Sequence, residues 1–289
     1  MATKIKHDRD TKICVITGAT SGIGRAAALK LAGISAQLIL LSRNASKGRG
    51  IADRINSSSG FEKALFIQTD LSRLSEVRTA AEQIKNRCRR IDVLINNAGA
   101  RFNDFKKNDD GIELTFATNH LGHFLLTLLL IDHMKASPGG RIINVASDVH
   151  RGYTADFDYV HGAGSYDRKA AYGQSKLANL LFTYELARRL ADTNITVNAL
   201  HPGGVATNLG RNNGLKSWLK HYVYYLMKRQ LISPSKAAET ILYLALSDEV
   251  QGVTGKYFAG KKEISSSDVS CDRDAQKKLW DLSDKLCSI

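Results

Sequence analysis

The stretch Lys12–Ala32, KICVITGATSGIGRAAALKLA, decides the fold that we predict for this chain. Its first part, Lys12–Thr17, is a short apolar run of the kind that forms a buried strand. A glycine-rich turn follows, and Arg25–Ala32 is rich in alanine and leucine, which predicts a helix. In a strand, glycine turn and helix in this order, the backbone can approach a pyrophosphate closely and the helix N-terminus supplies N–H donors. The stretch therefore predicts a dinucleotide-binding unit.

Strands and helices alternate through the rest of the chain, which is typical of a parallel sheet covered by helices on both faces. The further strands that we predict are Ala36–Ser42, Ala64–Thr69, Ile91–Ile95, Arg141–Ala146, Ile195–Leu200 and Gly255–Ala259. Since the 289 residues include only three prolines and no Pro/Gly/Ser-rich linker, we predict one α/β domain over the whole chain. The predicted fold is a single Rossmann-type doubly wound parallel sheet of about seven strands.

Composition limits the class of protein and its compartment. The chain is 43% hydrophobic and 24% charged, as in ordinary globular proteins. Its four cysteines are scattered without a C-x-x-C pair, so we predict neither a zinc site nor a disulfide framework, and a reducing, cytoplasmic compartment fits best. The start, MATKIKHDRDTK, lacks the apolar core of a signal peptide, and the longest apolar stretch, Leu121–Ile131, is too short to span a bilayer.

The net charge of +13 raises the question of an anionic partner. The basic residues are dispersed and no aromatic-interleaved basic run is present, so we expect no nucleic-acid binding. One basic segment, Leu215–Leu231, places Trp218 and Tyr222 on one face of a predicted helix and its lysines on another. This helix can cover the core, form a lid over a substrate pocket at residues 208–233, or rest peripherally on a membrane.

A second stretch, Ala170–Leu186, AAYGQSKLANLLFTYEL, carries the candidate chemistry. Tyr172 and Lys176 are four residues apart and therefore lie one turn apart on the same face of a helix. A lysine cation beside a tyrosine favours the phenolate and lowers the phenol pKa from about 10. Such a phenol can exchange a proton with an alcohol or ketone oxygen near neutral pH. A Tyr-x-x-x-Lys pair also occurs by chance on many helices, so its context decides.

Two arginines predict the type of dinucleotide. In a Rossmann unit, the residue after the second strand meets the adenosine ribose, and an acidic residue there selects NAD. Here that residue is Arg43, and Arg25 in the glycine turn adds a second cation. Two guanidinium groups can pair with a 2′-phosphate, so the sequence favours NADP(H) over NAD(H).

Other residues that we expect to bind the cofactor follow predicted strands, because open α/β sheets bind ligands at the carboxyl ends of their strands. Asp70 and Leu71 are expected at the adenine ring, and the Asn-Asn-Ala-Gly run follows the fourth strand. The predicted cofactor-binding residues are Gly18, Thr20, Ser21, Gly22, Ile23, Gly24, Arg25, Arg43, Asp70, Leu71, Asn97, Ala98, Gly99, Tyr172, Lys176, Pro202, Gly203, Val205 and Thr207.

Polar side chains in apolar surroundings complete the candidate set. The predicted long helix Gly111–Lys135 contains Asn119, which needs a hydrogen-bond partner or a functional reason in such a helix. His120 and His123 lack a third ligand at suitable spacing, so we predict no metal and expect packing or surface histidines. Ser147 ends the fifth predicted strand, where its hydroxyl can face a ligand or cap the next segment.

Taken together, these motifs resemble the short-chain dehydrogenase/reductase family over nearly the whole chain. TGATSGIG is similar to the glycine motif of the family, NNAG to its sheet motif, and Tyr172 with Lys176 to its Tyr-x-x-x-Lys. Ser147 matches the active serine and Asn119 the fourth active residue. The stretches NHLGHFLLTLLL, YGQSKLANLLFTYELARRL and LWDLSDKL look most like the retinol dehydrogenase group.

The resemblance implies an NADP(H)-dependent oxidoreductase that interconverts a lipophilic aldehyde or ketone and its alcohol, with a retinal- or retinol-like substrate favoured. It implies that Tyr172 moves the proton, Ser147 positions the carbonyl oxygen and Lys176 holds the nicotinamide ribose. It also implies that Asn119 anchors a water leading from Lys176 to solvent. The alternatives are a reductase of steroid- or quinone-like ketones and a non-catalytic NADP(H)-sensing or membrane-associated protein. A homo-oligomer stays open.

Overall fold

The computed structural model describes residues 11–34, 36–162, 166–205 and 231–288. Ten strands lie in these ranges: β1 (Lys12–Thr17), β2 (Ala36–Ser42), β3 (Ala64–Gln68), β4 (Val93–Asn96), β5 (Arg141–Val145), β6 (Thr196–His201), β7 (Gly204–Val205), β8 (Leu231–Ile232), β9 (Lys256–Ala259) and β10 (Lys262–Glu263). Eight of them form one sheet in the order β3-β2-β1-β4-β5-β6-β9-β10. The strands β1 to β6 and β9 are parallel, and β10 pairs antiparallel with β9.

The order of the strands determines where a ligand can bind. The chain starts in the middle of the sheet at β1, runs outward to β3, and then returns to β4 on the other side of β1. The carboxyl ends of β1 and β4 therefore flank the point at which the strand order reverses. Open α/β sheets bind ligands in the crevice at this point. The glycine turn after β1 and the Asn97–Gly99 run after β4 both lie there.

Helices cover both faces of the sheet. They are α1 (Gly22–Ala32), α2 (Ala45–Ser59), α3 (Leu74–Arg87), α4 (Leu114–Lys135), α5 (Arg168–Arg189), α6 (Pro234–Leu246), α7 (Asp268–Cys271) and α8 (Arg273–Cys287). One core cluster joins β1 and β2 to α1, α2 and α6 through residues such as Leu31, Ile55 and Ile241. A larger cluster joins the opposite face to α3, α4, α5 and α8, and Phe124 and Leu177 are fully buried in it.

The helix α4 runs through the interior and changes its hydrogen-bonding pattern near its start. Glu113 caps it by accepting hydrogen bonds from the N–H groups of Thr115 and Phe116, and Ala117–Leu121 forms a π-helical turn before α-helix resumes at Gly122. Its length and mean hydropathy of 1.4 would suit a membrane span, but 78% of that window is buried inside the protein. Burial to this extent is typical of the core helix of a folded domain.

The predicted Rossmann-type fold is confirmed, with two differences in detail. The main sheet has eight strands instead of about seven, because the chain turns back after β9 into the two-residue strand Lys262–Glu263. The predicted lid at residues 208–233 lies outside the described residues, apart from its last three. Of these, Leu231 and Ile232 are not helical but form the strand that pairs with Gly204–Val205.

Candidate active site

The glycine turn after β1 brings two parts of the backbone close together. Gly18 has a φ of +68°, and a Cβ atom there would lie 2.9 Å from the Cα atom of Ala98. A Cβ atom on Gly24 would lie 2.4 Å from the carbonyl oxygen of Gly18. Ser21, the N-cap of α1, makes no side-chain capping bond, so the first N–H groups of the helix have no partner from their own cap. The turn therefore has the shape of an anion cradle at a helix N-terminus.

Thr17, the last residue of β1, ties the Asn97–Gly99 run to this turn. Its Oγ1 atom accepts hydrogen bonds from the backbone N–H groups of Asn97 (2.9 Å) and Ala98 (3.0 Å). In return, the Asn97 side-chain amide donates to the Thr17 carbonyl oxygen over 2.8 Å. Thr17 was not among the predicted site residues, although a hydroxyl at the end of the first strand is the signal that could have indicated this role.

The residues predicted at the adenosine end lie near the surface. The Arg43 guanidinium is 4.0 Å from the Asp70 carboxylate, and the Arg43 side chain is 52% exposed. Arg25, on the first turn of α1, is exposed as well. Leu71 differs, because it is buried in the core and its carbonyl oxygen would be 2.3 Å from a Cβ atom on Gly122. Its side chain therefore packs into the core.

Tyr172 and Lys176 lie on α5, whose first turn is capped by Asp167 accepting from the Lys169 N–H. The Lys176 ammonium is 5.9 Å from the centre of the Tyr172 ring and donates a 2.9 Å hydrogen bond to the Val145 carbonyl oxygen at the end of β5. Lys176 is 3% exposed, and burial lowers its pKa from 10.5 to about 8. The phenol and the ammonium thus share one face of the helix, as their spacing predicts.

Asn119 lies in the π turn of α4 and connects that turn to both of its neighbours. Its Oδ1 atom accepts from the Ala100 N–H (2.7 Å), and its amide group donates to the Ala100 carbonyl oxygen (2.9 Å) and to the Ser175 hydroxyl (2.9 Å). A Cβ atom on Gly99 would lie 3.6 Å from the Lys176 ammonium and 3.8 Å from Asn119 Oδ1. The Asn97–Gly99 run therefore lies next to the glycine turn on one side and near the Lys176 ammonium on the other.

Ser147 begins the segment after β5, two residues beyond Val145. Its Oγ atom accepts a long hydrogen bond of 3.4 Å from the Val149 N–H, which caps a short 3₁₀ turn at Asp148–Gly152. Ser147 therefore caps this turn, as one of the two expectations had it. The cap uses a lone pair of the hydroxyl oxygen, and the hydroxyl proton can be donated to another acceptor. Ser147 is partly exposed, as a residue that meets a ligand must be.

The residues after β6 continue the same edge of the sheet. Pro202, Gly203 and Val205 are partly exposed, and Gly203 has a φ of +84°, which turns the chain into β7. Thr207 lies outside the described residues. In the glycine turn, Thr20, Ser21 and Ile23 are also partly exposed, and Gly22 begins α1 with a φ of +53°.

Both candidate histidines are buried, so of the two alternatives, packing or surface histidines, the structure shows packing. His120 approaches the hydroxyl of Ser283 on α8 (2.8 Å), whereas His123 contacts Thr17 and Asn119. Burial lowers the pKa of each imidazole from 6.5 to about 3, so both rings are neutral at pH 7. Within the described ranges, no group of three or more His, Cys, Asp or Glu side chains could hold a metal ion.

Fold and site together define a nucleotide-binding α/β protein of the Rossmann type. The chain matches the family model of the short chain dehydrogenases over residues 12–217. It is 38% identical to human retinol dehydrogenase 14 over 96% of this chain and 87% of that protein. It is 41% identical to the chloroplastic short-chain dehydrogenase TIC 32 A of Brassica napus over 99% of this chain and 92% of that protein. This protein therefore belongs to the short-chain dehydrogenase/reductase family.

A solved structure agrees with this assignment. An uncharacterized protein from Mycobacterium Paratuberculosis superposes with a TM-score of 0.75 at 30% identity, over 96% of this chain and 93% of that one. The family resemblance inferred from the sequence motifs is thereby confirmed. Membership makes the protein an oxidoreductase that uses a nicotinamide cofactor.

Proposed function

We propose that the protein is an NADP(H)-dependent oxidoreductase that interconverts a lipophilic aldehyde or ketone and its alcohol. The observation that carries the proposal is the buried Lys176 ammonium, 5.9 Å from the centre of the Tyr172 ring. Burial alone makes a cation unfavourable, which its lowered pKa of about 8 reflects, so stability does not explain the charge. A cation beside Tyr172 stabilises the phenolate that forms when the phenol gives its proton to a substrate.

Each polar side chain of the site has a distinct part in the proposed reaction. A bound nicotinamide would supply the hydride that adds to the carbonyl carbon in reduction, and would accept a hydride from the alcohol carbon in oxidation. Tyr172 gives its proton to the carbonyl oxygen in reduction and takes it back in oxidation, and Lys176 stabilises the phenolate by its charge. Ser147 donates its remaining hydroxyl proton to the substrate oxygen and so fixes the carbonyl beside Tyr172.

Asn119 has a more restricted part than the resemblance implied. Its side-chain amide already donates to Ala100 and Ser175, so both N–H groups are in use. A water that leads from Lys176 to solvent would therefore have to bind a lone pair of an Asn119 oxygen. In our proposal, the side chain of Asn119 mainly holds the π turn against the Asn97–Gly99 run and against α5.

The glycine turn fits the cofactor phosphates on steric grounds. Side chains on Gly18 or Gly24 would fill the space in which the two backbone segments meet, since their Cβ atoms would clash with Ala98 and with Gly18 itself. The bare turn and the N-terminus of α1 would hold the pyrophosphate. The exposed backbone of Gly99 would lie against the nicotinamide ribose, next to Lys176.

Arg25 and Arg43 support NADP(H) over NAD(H). Both side chains are exposed at the end of the crevice where a Rossmann unit places the adenosine ribose. The pairing of Arg43 with Asp70 is long, at 4.0 Å, and solvent screens it, so the guanidinium can turn to a 2′-phosphate at little cost. The prediction is that kcat/KM for NADPH exceeds that for NADH, and a preference for NADH would contradict it.

The substrate class rests on similarity. Retinol dehydrogenase 14 bears its substrate in its name, and 38% identity over most of both chains supports a retinal- or retinol-like substrate for this protein. If the protein is an enzyme, steroid- and quinone-like ketones are the alternative substrates. The alternative to an enzyme is a protein that binds NADP(H) without turnover.

Activity assays with a set of carbonyl compounds distinguish these hypotheses. NADPH absorbance is followed with retinal, a long-chain aldehyde, a steroid ketone, a quinone and a short polar aldehyde as control. We expect turnover of the lipophilic aldehydes and little of the control. Fluorescence titration with NADPH alone measures binding. Binding without turnover of any compound would favour the non-catalytic protein, and absence of both would reject the proposal.

Peripheral membrane contact remains part of the proposal, supported by the net charge of +13. Flotation with anionic and with neutral liposomes tests it, because electrostatic attachment predicts co-migration with the anionic vesicles only. Absence of co-migration with both would remove this part and leave the enzyme untouched. Sedimentation of the same preparation gives the oligomeric state.

A further inference from the structure

His123 links the end of β1 to the π turn of α4, where it contacts the main chain of Asn119, one of the predicted catalytic residues. It lies on α4 one turn after Asn119 and is 2% exposed. Its Nε2 atom is 2.9 Å from the Thr17 hydroxyl at the end of β1. Its Nδ1 atom is 3.0 Å from the main-chain carbonyl oxygen of Asn119 in the π turn. One imidazole thus bridges the first strand and the helix that carries Asn119.

The chemistry of the partners determines the direction of each hydrogen bond. A carbonyl oxygen only accepts, so Nδ1 of His123 must carry the proton that it donates to Asn119. The buried ring is neutral at pH 7, because burial lowers its pKa to about 3, so Nε2 then has a lone pair and no proton. Nε2 must accept the hydroxyl proton of Thr17, which is nearer to it than to the other acceptor, the Ile95 carbonyl oxygen at 3.3 Å.

The orientation of the Thr17 hydroxyl determines how it binds the Asn97–Gly99 run. With its proton directed to His123, the Thr17 oxygen presents its lone pairs to the N–H groups of Asn97 and Ala98. Those two bonds hold the Asn97–Gly99 run against the glycine turn. The full sequence of bonds therefore runs from the loop amides through Thr17 and His123 to the π turn at Asn119.

We propose that His123 is a positioning residue that holds the Asn97–Gly99 run in the conformation that binds the cofactor. The proposal rests on the proposed function in one respect, that the cofactor lies against this run. His123 acts through Thr17 on one side and through the Asn119 carbonyl group on the other. The position requires a side chain with one donor and one acceptor. If the donor or the acceptor is missing, the buried Asn119 carbonyl or the buried Thr17 hydroxyl loses this hydrogen-bond partner.

The chain offers a matched control in His120. It lies on the same helix, is equally buried, and has the same direction of pKa shift for the same cause. Its Nε2 atom is 2.8 Å from the hydroxyl of Ser283 on α8, which is not part of the site, and its ring packs among Phe116, Phe124 and Phe182. Loss of either imidazole should lower stability, but only loss of His123 should alter the Asn97–Gly99 run.

The first measurement is the dissociation constant for NADPH by fluorescence titration, which needs no turnover. We expect His123→Leu to bind about tenfold more weakly than the wild type, and His120→Leu to bind within about twofold of it. His123→Gln should restore binding to within about threefold, because its amide can donate and accept at once. Thr17→Val breaks the same bridge from its other end and should resemble His123→Leu, which keeps the test open if one variant does not fold.

The second measurement is amide hydrogen exchange of the free protein, which does not depend on the cofactor. The Asn97 and Ala98 amides should exchange faster in His123→Leu and in Thr17→Val than in the wild type and in His120→Leu. Equal exchange in the two histidine variants would overturn the proposal. So would wild-type NADPH affinity in folded His123→Leu. If the wild type itself binds no NADPH, the proposed function fails, while the exchange measurement still decides whether His123 holds the run.

Discussion

The two ends of the proposed cofactor site are built in opposite ways. At one end, Lys176 and Asn119 are 3% and 0% exposed, and every hydrogen bond found for them leads to another buried group. At the other end, Arg25 and Arg43 stand in solvent, and Arg43 has a carboxylate partner only at 4.0 Å. The first end is held in one geometry, whereas the second offers charge without a fixed position.

The buried end lowers the stability of the fold, whereas the exposed end determines which cofactor is preferred. A buried cation is paid for in folding free energy, and its lowered pKa of about 8 is the sign of that cost. An exposed arginine costs almost nothing to keep and acts on its ligand mainly through charge. Substitutions at the buried end should therefore change both the rate and the stability, and substitutions at the exposed end should change only the affinity for one cofactor.

The largest expected effect is that of Tyr172→Phe, which removes the hydroxyl group that donates the proton in the proposed reaction. We expect kcat to fall by about 10²–10⁴-fold while NADPH binding stays within about twofold of the wild type. Steady-state and fluorescence titrations check the two parts separately. Tyr184→Phe is the matched control, because Tyr184 lies on the same helix and its hydroxyl is 2.7 Å from that of Ser266. Near-normal turnover in Tyr172→Phe would remove the phenol from the mechanism.

Lys176→Met should lower activity and raise stability at once. The folded protein binds the lysine proton less tightly than the unfolded chain does, so the unfolded chain holds more protons between pH 8 and 10.5. The cost is therefore complete below about pH 8 and disappears as the pH rises through that window. We expect the variant to be more stable than the wild type by about 1–3 kcal/mol at pH 7, although the Val145 carbonyl oxygen loses the Lys176 donor and keeps a longer hydrogen bond from Asn179.

Chemical denaturation at neutral pH and again near pH 10 checks this, and the difference between the two proteins should shrink at the higher pH. A variant that is less stable than the wild type at pH 7 would show that the ammonium is not a folding cost. Activity provides the second half of the test, since a fall of about a hundredfold or more is expected at the optimum of the wild type.

Much of this arrangement could be predicted from local sequence. The glycine turn between a strand and a helix, the Asn-Asn-Ala-Gly run and the four-residue spacing of Tyr172 and Lys176 are local patterns. The fold that they predicted is confirmed. The spacing also predicts a shared helical face, because 3.6 residues make one turn.

What the sequence did not indicate depends on contacts between distant residues. Thr17 and His123 are 106 positions apart, and the local sequence around each residue does not predict the hydrogen bond between them. The burial of Lys176 follows from the packing of α5 against β5 and against the start of α4, which the periodicity of α5 alone does not predict. Likewise, the continuous helix predicted from Gly111 begins only at Leu114, because Gly111 has a φ of +77° and Glu113 takes the cap.

Arg43→Ala tests the exposed end and should have an intermediate effect. We expect KM for NADPH to rise about tenfold and KM for NADH to change little, since only NADPH carries the 2′-phosphate. Stability should stay within about 0.5 kcal/mol, as for most surface substitutions. Lys47→Ala, an exposed cation on the first turn of α2, is the control for a general loss of positive charge. Equal losses with both cofactors would show that Arg43 does not read the phosphate.

The smallest effect expected is that of ionic strength, and it separates the two ends without any mutation. Raising the salt from about 0.01 M to about 0.15 M shortens the screening length from about 30 Å to about 8 Å. The attraction of exposed guanidinium groups for a phosphate weakens under these conditions, whereas that of the buried ammonium for the phenolate does not. We therefore expect KM for NADPH to rise about two- to threefold, with KM for NADH and kcat nearly constant. The Arg43→Ala variant should lose most of this salt dependence, and a wild-type kcat that falls with salt would mean that the buried end is open to solvent ions.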